Sequence, residues 1–118
     1  MRNYSRIKVE QIVIGTLMNE FGDDGFLVKN MASLRKDLFN DRRHVFIFGI
    51  IEQMVRDGRR QTTPYDILCY CDEKGMQYGN IGNFSTYMCE ISMNYAFKGL
   101  RAYVRELVQY YIRDRKNG

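Results

Sequence analysis

Hydrophobic and polar positions along this chain repeat with a helical period almost from end to end, and nowhere alternate in the manner of a strand followed by a hairpin turn. The first periodic segment runs from about Lys8 to Glu20, with Gly22 as its stop. Val9, Ile12, Val13, Thr16 and Leu17 share one side of it, and Ile14, Met18 and Phe21 extend that arc. Only Lys8, Gln11, Gly15 and Asn19 remain as a narrow polar strip. Glycine costs a helix interior roughly 1 kcal/mol relative to alanine. Gly15 is therefore expected to permit a close backbone approach.

Four further helices and a connecting turn follow. Asp23 or Asp24 can cap a short second helix through Phe26, Leu27, Val28 and Met31. The stretch from Ser33 to Phe39 reads as a connection with a turn of helix of its own. A third helix, about Asp41 to Asp57, is apolar nearly all round, with Asp41 as N-cap and Gly58 as stop. Thr63-Pro64-Tyr65-Asp66 opens a fourth with a capping threonine, proline at the first position and an acid three residues on. Its inward residues are expected to be Ile67, Leu68 and Cys71, and it ends at Gly75. Gly79 to Asn83 is a loop by composition. Asn83 or Ser85 then starts a fifth helix through Tyr87, Met88 and Ile91.

The last helix is expected from about Tyr95 to Arg115. Its apolar line is Phe97, Leu100, Val104, Leu107 with Val108, and Tyr111; Tyr103, Tyr110 and Ile112 flank it. Lys98, Arg101, Arg105, Gln109, Arg113 and Lys116 form the opposite line. The expected fold is all-α, a compact bundle of about six helices ending in a long one. One domain is expected over 1–118, with a globular part over 1–94 and a basic amphipathic helix over 95–118.

Charge sharpens this division. Residues 1–94 hold 12 Lys or Arg against 12 Asp or Glu, whereas 95–118 hold six against two, so the net +4 sits in the final segment. A basic face of this kind suits phosphates or an acidic protein surface. Lys98, Arg101, Arg105 and Arg113 are the candidates for that contact. Ile14, Met18, Leu100, Val104, Leu107 and Tyr111, on the first and last helices, are the candidates for self-association.

Catalytic and metal chemistry find little footing. The chain has three cysteines and one histidine. Cys69 and Cys71 fall about 200° apart on a helix, too divergent to share a metal. Asp23-Asp24 and Asp72-Glu73 are adjacent pairs whose side chains diverge, which fits surface charge better than an acid–base dyad. His44 reads as a residue that caps a helix or bonds the preceding turn. No catalytic residue, metal or cofactor is expected. The opening residues lack a signal-peptide pattern and no run is long enough to span a membrane, so a cytoplasmic location is expected.

Several short patterns recur in a fixed order. Glu10-Gln11 with Gly15 and Leu17 resembles an E-Q-x-x-x-G-x-L opening. Phe39, His44, Ile47-Phe48 and Ile51 resemble F-Y-x-x-x-H-x-x-I-F-x-x-I. Gly58 with Asp66, Phe84 with Tyr87, and Tyr103-Val104-x-Glu106 continue the series. Together these resemble, over residues 7–115, the N-terminal domain of DnaB-type replicative hexameric DNA helicases. Asn40 departs from it where a second aromatic is usual, as do Asn80-Ile81-Gly82 and the region around Tyr95.

The resemblance implies a non-catalytic module that forms a homodimer or higher homo-oligomer and receives a primase or a helicase loader. It also implies that 95–118 is the first arm of a helical hairpin. No G-x-x-x-x-G-K-[ST] phosphate-binding loop occurs in this sequence, so ATP hydrolysis is not expected of it. The competing expectation is a small DNA-binding or replisome-adaptor protein that uses the basic face of the last helix.

Overall fold

A computed structural model describes residues 4–19, 29–78, 81–96 and 99–117, and every regular element among them is helical. Five α-helices are present: α1 (Arg6–Leu17), α2 (Arg42–Arg56), α3 (Pro64–Lys74), α4 (Phe84–Ser92) and α5 (Leu100–Asn117). A 3-10 turn (Lys36–Leu38) precedes α2, at the place where the sequence predicts a turn of helix. Residues 29–31 are also helical. The remainder of the expected second helix, including Asp23 and Asp24, lies outside the described residues, as does the Gly22 stop.

The predicted punctuation is realised at α2 and α3. Asp41 caps α2 by accepting the Arg43 N–H, and Asp57 closes it ahead of Gly58 at φ +83°. Thr63 and Asp66 complete a reciprocal capping box on α3, and Gly75 ends it in the left-handed region. Such paired caps satisfy backbone donors that the first helical turn leaves without partners. On α3 the buried set is Ile67, Tyr70 and Cys71. Leu68, expected inward, is half-buried, and Tyr70 takes its place with its hydroxyl donating to Asp57.

α1 is the centre of the molecule. It packs against α4, α5 and α2, and every residue from Val9 to Met18 except Gln11 is buried. The expected polar strip is only partly exposed, with Gly15 buried, and it lines the crossing with α4. Gly15 lies so near α4 that a Cβ on it would stand 2.1 Å from the Ile91 carbonyl oxygen and 2.6 Å from that of Asn94. Asn19 Nδ2 donates to the carbonyls of Gly15 (2.6 Å) and Ser92 (2.9 Å), and Lys8 Nζ donates to Asn94 Oδ1 (3.1 Å). The strip is polar because two backbones meet there at a distance that leaves room only for hydrogen bonds.

The last helix starts later than its periodicity suggests. Tyr95 and Ala96 are not helical, and α5 begins at Leu100. The Thr16 hydroxyl accepts the Ala96 N–H at 2.9 Å, tying that backbone to α1 and out of a helical ladder. From Leu100 onward the apolar line is covered. Leu100, Val104 and Leu107 belong to the same core as α1, so this helix is an integral wall of the globule.

Candidate functional site

α1 contributes one carboxylate to a crowded apolar interior. Glu10 is 1% exposed, a placement that requires partners for both of its oxygens. Its Oε2 accepts the Asn40 N–H at 2.8 Å and meets Arg6 Nε at 3.2 Å. Its Oε1 accepts the Asp41 N–H at 3.1 Å and lies 2.7 Å from His44 Nδ1. The two N–H groups come from the chain just ahead of α2, so Glu10 anchors the entry to that helix.

His44 is fully buried in the first turn of α2 and joins three helices. A carboxylate against Nδ1 assigns the proton to that nitrogen, which leaves Nε2 to accept. Tyr87 of α4 supplies that donor, with its Oη 2.5 Å from Nε2. Gln11 Nε2 donates to the same phenol oxygen at 3.4 Å. The expected role of His44, as a cap or a bond to the preceding turn, is replaced. Asp41 occupies the cap position, and the histidine bridges α1 to α4.

A second path links the same helices. Asp41 holds Arg43 through both oxygens, at 3.0 Å to Nε and 2.8 Å to Nη2. The Arg43 guanidinium then stacks on the Tyr87 ring, 4.0 Å from its centre. Glu10, Asp41, Arg43, Tyr87 and His44 thus close a ring of contacts. The Arg43 hydrogen bonds hold the Asp41 carboxyl at about 2, well below its ordinary 3.8. Burial pushes the Tyr87 phenol upward, against a smaller downward pull from Gln11.

Chemically, a Tyr–His–Glu sequence is the order found in nucleophile–base–orienter relays. Here the phenol is held in its neutral form by burial, and the imidazole and carboxylate are enclosed. What the arrangement does by itself is lock the relative positions of α1, α2 and α4. Among the described residues no group of three His, Cys, Asp or Glu side chains could hold a metal ion. The cysteines are free, with Cys71 buried and Cys69 and Cys89 exposed. No described helix is long and apolar enough to cross a membrane.

The predicted self-association set does not form a surface. Ile14, Met18, Leu100, Val104 and Leu107 are all buried within the chain, and only Tyr111 is partly exposed. The physical reason is that α1 and α5 satisfy each other's apolar lines. The exposed apolar residues of these two helices are instead Ile7 and Ile112. They sit near ends of α1 and α5 that an Arg6–Asp114 ion pair holds together.

Of the predicted basic contacts, Arg101, Arg105 and Arg113 are exposed on one helix, whereas Lys98 lies outside the described residues. Arg113 stacks on Tyr110 and Arg115 on Tyr111, so part of this face is already occupied by internal cation–π contacts. The Glu10–Tyr87 connection is absent from the sequence reading. Its signal was nonetheless present: one acid inside an apolar arc and the sole histidine at the head of a buried helix each demand a partner.

Comparison with protein-family models and with curated proteins finds no match for this chain.

Proposed function

We propose that this chain is a non-catalytic oligomerisation and protein-docking domain of a DnaB-type replicative helicase, with a primase or helicase loader as its docking partner. The observation that supports this reading is convergence. Glu10, His44 and Tyr87, drawn from three separate patterns of the resemblance, meet in one hydrogen-bonded network. Gly15, from the first pattern, stands at the closest helix crossing. Ile47, Phe48 and Ile51, from the second, are fully buried.

Self-association then falls to the exposed apolar residues Ile7 and Ile112 and the partly exposed Tyr111, and not to the core positions. Sedimentation equilibrium tests this: a concentration-dependent dimer or larger assembly is expected, weakened by Ile112→Glu with the fold intact. A chain that stays monomeric at high concentration overturns the assembly half of the proposal. The second reading, a small DNA-binding or adaptor protein, is favoured by the exposed Arg101, Arg105 and Arg113. A salt-dependent DNA gel shift abolished by Arg101→Glu/Arg105→Glu would establish that reading instead.

A further inference from the structure

The outer side of α2 carries a hollow of about 490 Å³ that the basic face of α5 does not touch. Val45, Phe46, Gly49, Ile50 and Met76 line it, together with Gln53. A second hollow of about 500 Å³ adjoins it, sharing Arg42 and Phe46. Lys36 and Arg42, both exposed, stand at the rim of the first. Neither forms an ion pair among the described residues, whereas Arg6, Arg35, Arg43 and Arg59 all do.

We infer that this groove docks an acidic, amphipathic segment of a partner protein, with a Leu or Phe side chain against Phe46 and carboxylates toward Lys36 and Arg42. The occupant follows from complementarity. A hollow of this volume admits a few large side chains, and apart from the two cations and Gln53 its lining is apolar. Among the described residues the two cations beside it have no carboxylate of their own, so an apolar segment bearing acids satisfies both features at once. Gly49 has no side chain of its own at mid-helix, and the flexible end of Lys36 lies over it. A Cβ there meets only the flexible end of Lys36, at 3.1 Å from Cε. The inference deepens the docking half of the proposed function and rests on it, but is independent of self-association.

The test uses the full chain and a fluorescein-labelled helical peptide of about twelve residues, with Leu and Phe on one face and Glu on the other. Saturable binding by anisotropy is expected, and a counterpart with Lys in place of Glu should bind at least about tenfold more weakly. Lys36→Glu/Arg42→Glu should weaken binding about tenfold. Gly49→Gln fills the hollow with a residue that favours helix, so it should keep the fold by circular dichroism and still weaken binding at least about fivefold. Arg101→Glu/Arg105→Glu should leave it unchanged.

Equal affinity for both peptides overturns the inference, as does full affinity in Gly49→Gln. So does single-stranded DNA binding that Lys36→Glu/Arg42→Glu removes, or self-association that Gly49→Gln abolishes. A dimer without peptide affinity would sink the groove and spare the assembly proposal; a peptide-binding monomer would do the reverse.

Discussion

α1 and α5 lie against each other, and both present long apolar lines in the sequence. Their surroundings differ completely. α1 is enclosed by α2, α4 and α5, so even its acid, threonine and glycine are buried. α5 is enclosed on one side only, and Arg101, Arg105, Ile112 and Arg113 remain in solvent. A helix with one neighbour can tolerate almost any polar residue on its far face. A helix with three neighbours must pair every polar group it carries, and Glu10 meets that demand with four partners.

This contrast can be broken most sharply at Gly15. Gly15→Ala places a methyl group where the Ile91 and Asn94 carbonyls now stand, which forces α1 and α4 apart. A loss of roughly 3–5 kcal/mol in unfolding free energy is expected from denaturant titration. An alanine tolerated at a cost below about 1 kcal/mol would show that the crossing is not tight.

Removing the acid should come next. Glu10→Ala leaves His44 Nδ1 and the N–H groups of Asn40 and Asp41 without their acceptor and removes the ion pair with Arg6. About 3 kcal/mol is expected, since the other half of a buried pair is stranded. Tyr87→Phe deletes only the phenol hydroxyl, at a cost of about 1–2 kcal/mol. Equal losses in the two variants would mean that Glu10 acts only through the phenol.

The outer arm of the ring responds to acid. Asp41 titrates at about 2 in the fold against an ordinary 3.8. Its contribution is therefore complete above pH about 4 and disappears as pH falls through 2. The span is about 1–2 kcal/mol once the partial exposure of Arg43 is allowed for. Unfolding followed between pH 5 and 2 should show this slope, and Asp41→Asn should flatten it. At the far side of the comparison, Arg101→Glu/Arg105→Glu should change stability by less than about 0.5 kcal/mol, measured by thermal denaturation.

Much of the helical plan was legible in the sequence, because caps and stops are local. Asp41, Thr63 with Pro64 and Asp66, and Gly58 and Gly75 each act on backbone groups within a few residues. The close approach at Gly15 was also legible, since a glycine inside an apolar helix has few other uses. The start of α5 was not, because the Ala96 N–H is held by Thr16, a residue 80 positions away. Most of the self-association set lies buried within the chain for a related reason. Periodicity shows which residues avoid water but not whether another helix of the same chain or a second copy covers them.

The candidate site divides along the same line. The exposed Arg101, Arg105 and Arg113 could be read from spacing on one helix. The network of Glu10, His44 and Tyr87 joins positions 34 and 43 residues apart, and no local pattern connects them. The groove on α2 likewise depends on Lys36 and Met76, from segments on either side of it, lining one hollow with Phe46. By itself, then, the sequence determined the all-helical character and most helix ends, since those follow from dihedral preference and nearby hydrogen bonds. Only the tertiary structure decided which apolar faces were covered and how buried charges were matched, because both depend on contacts between distant segments.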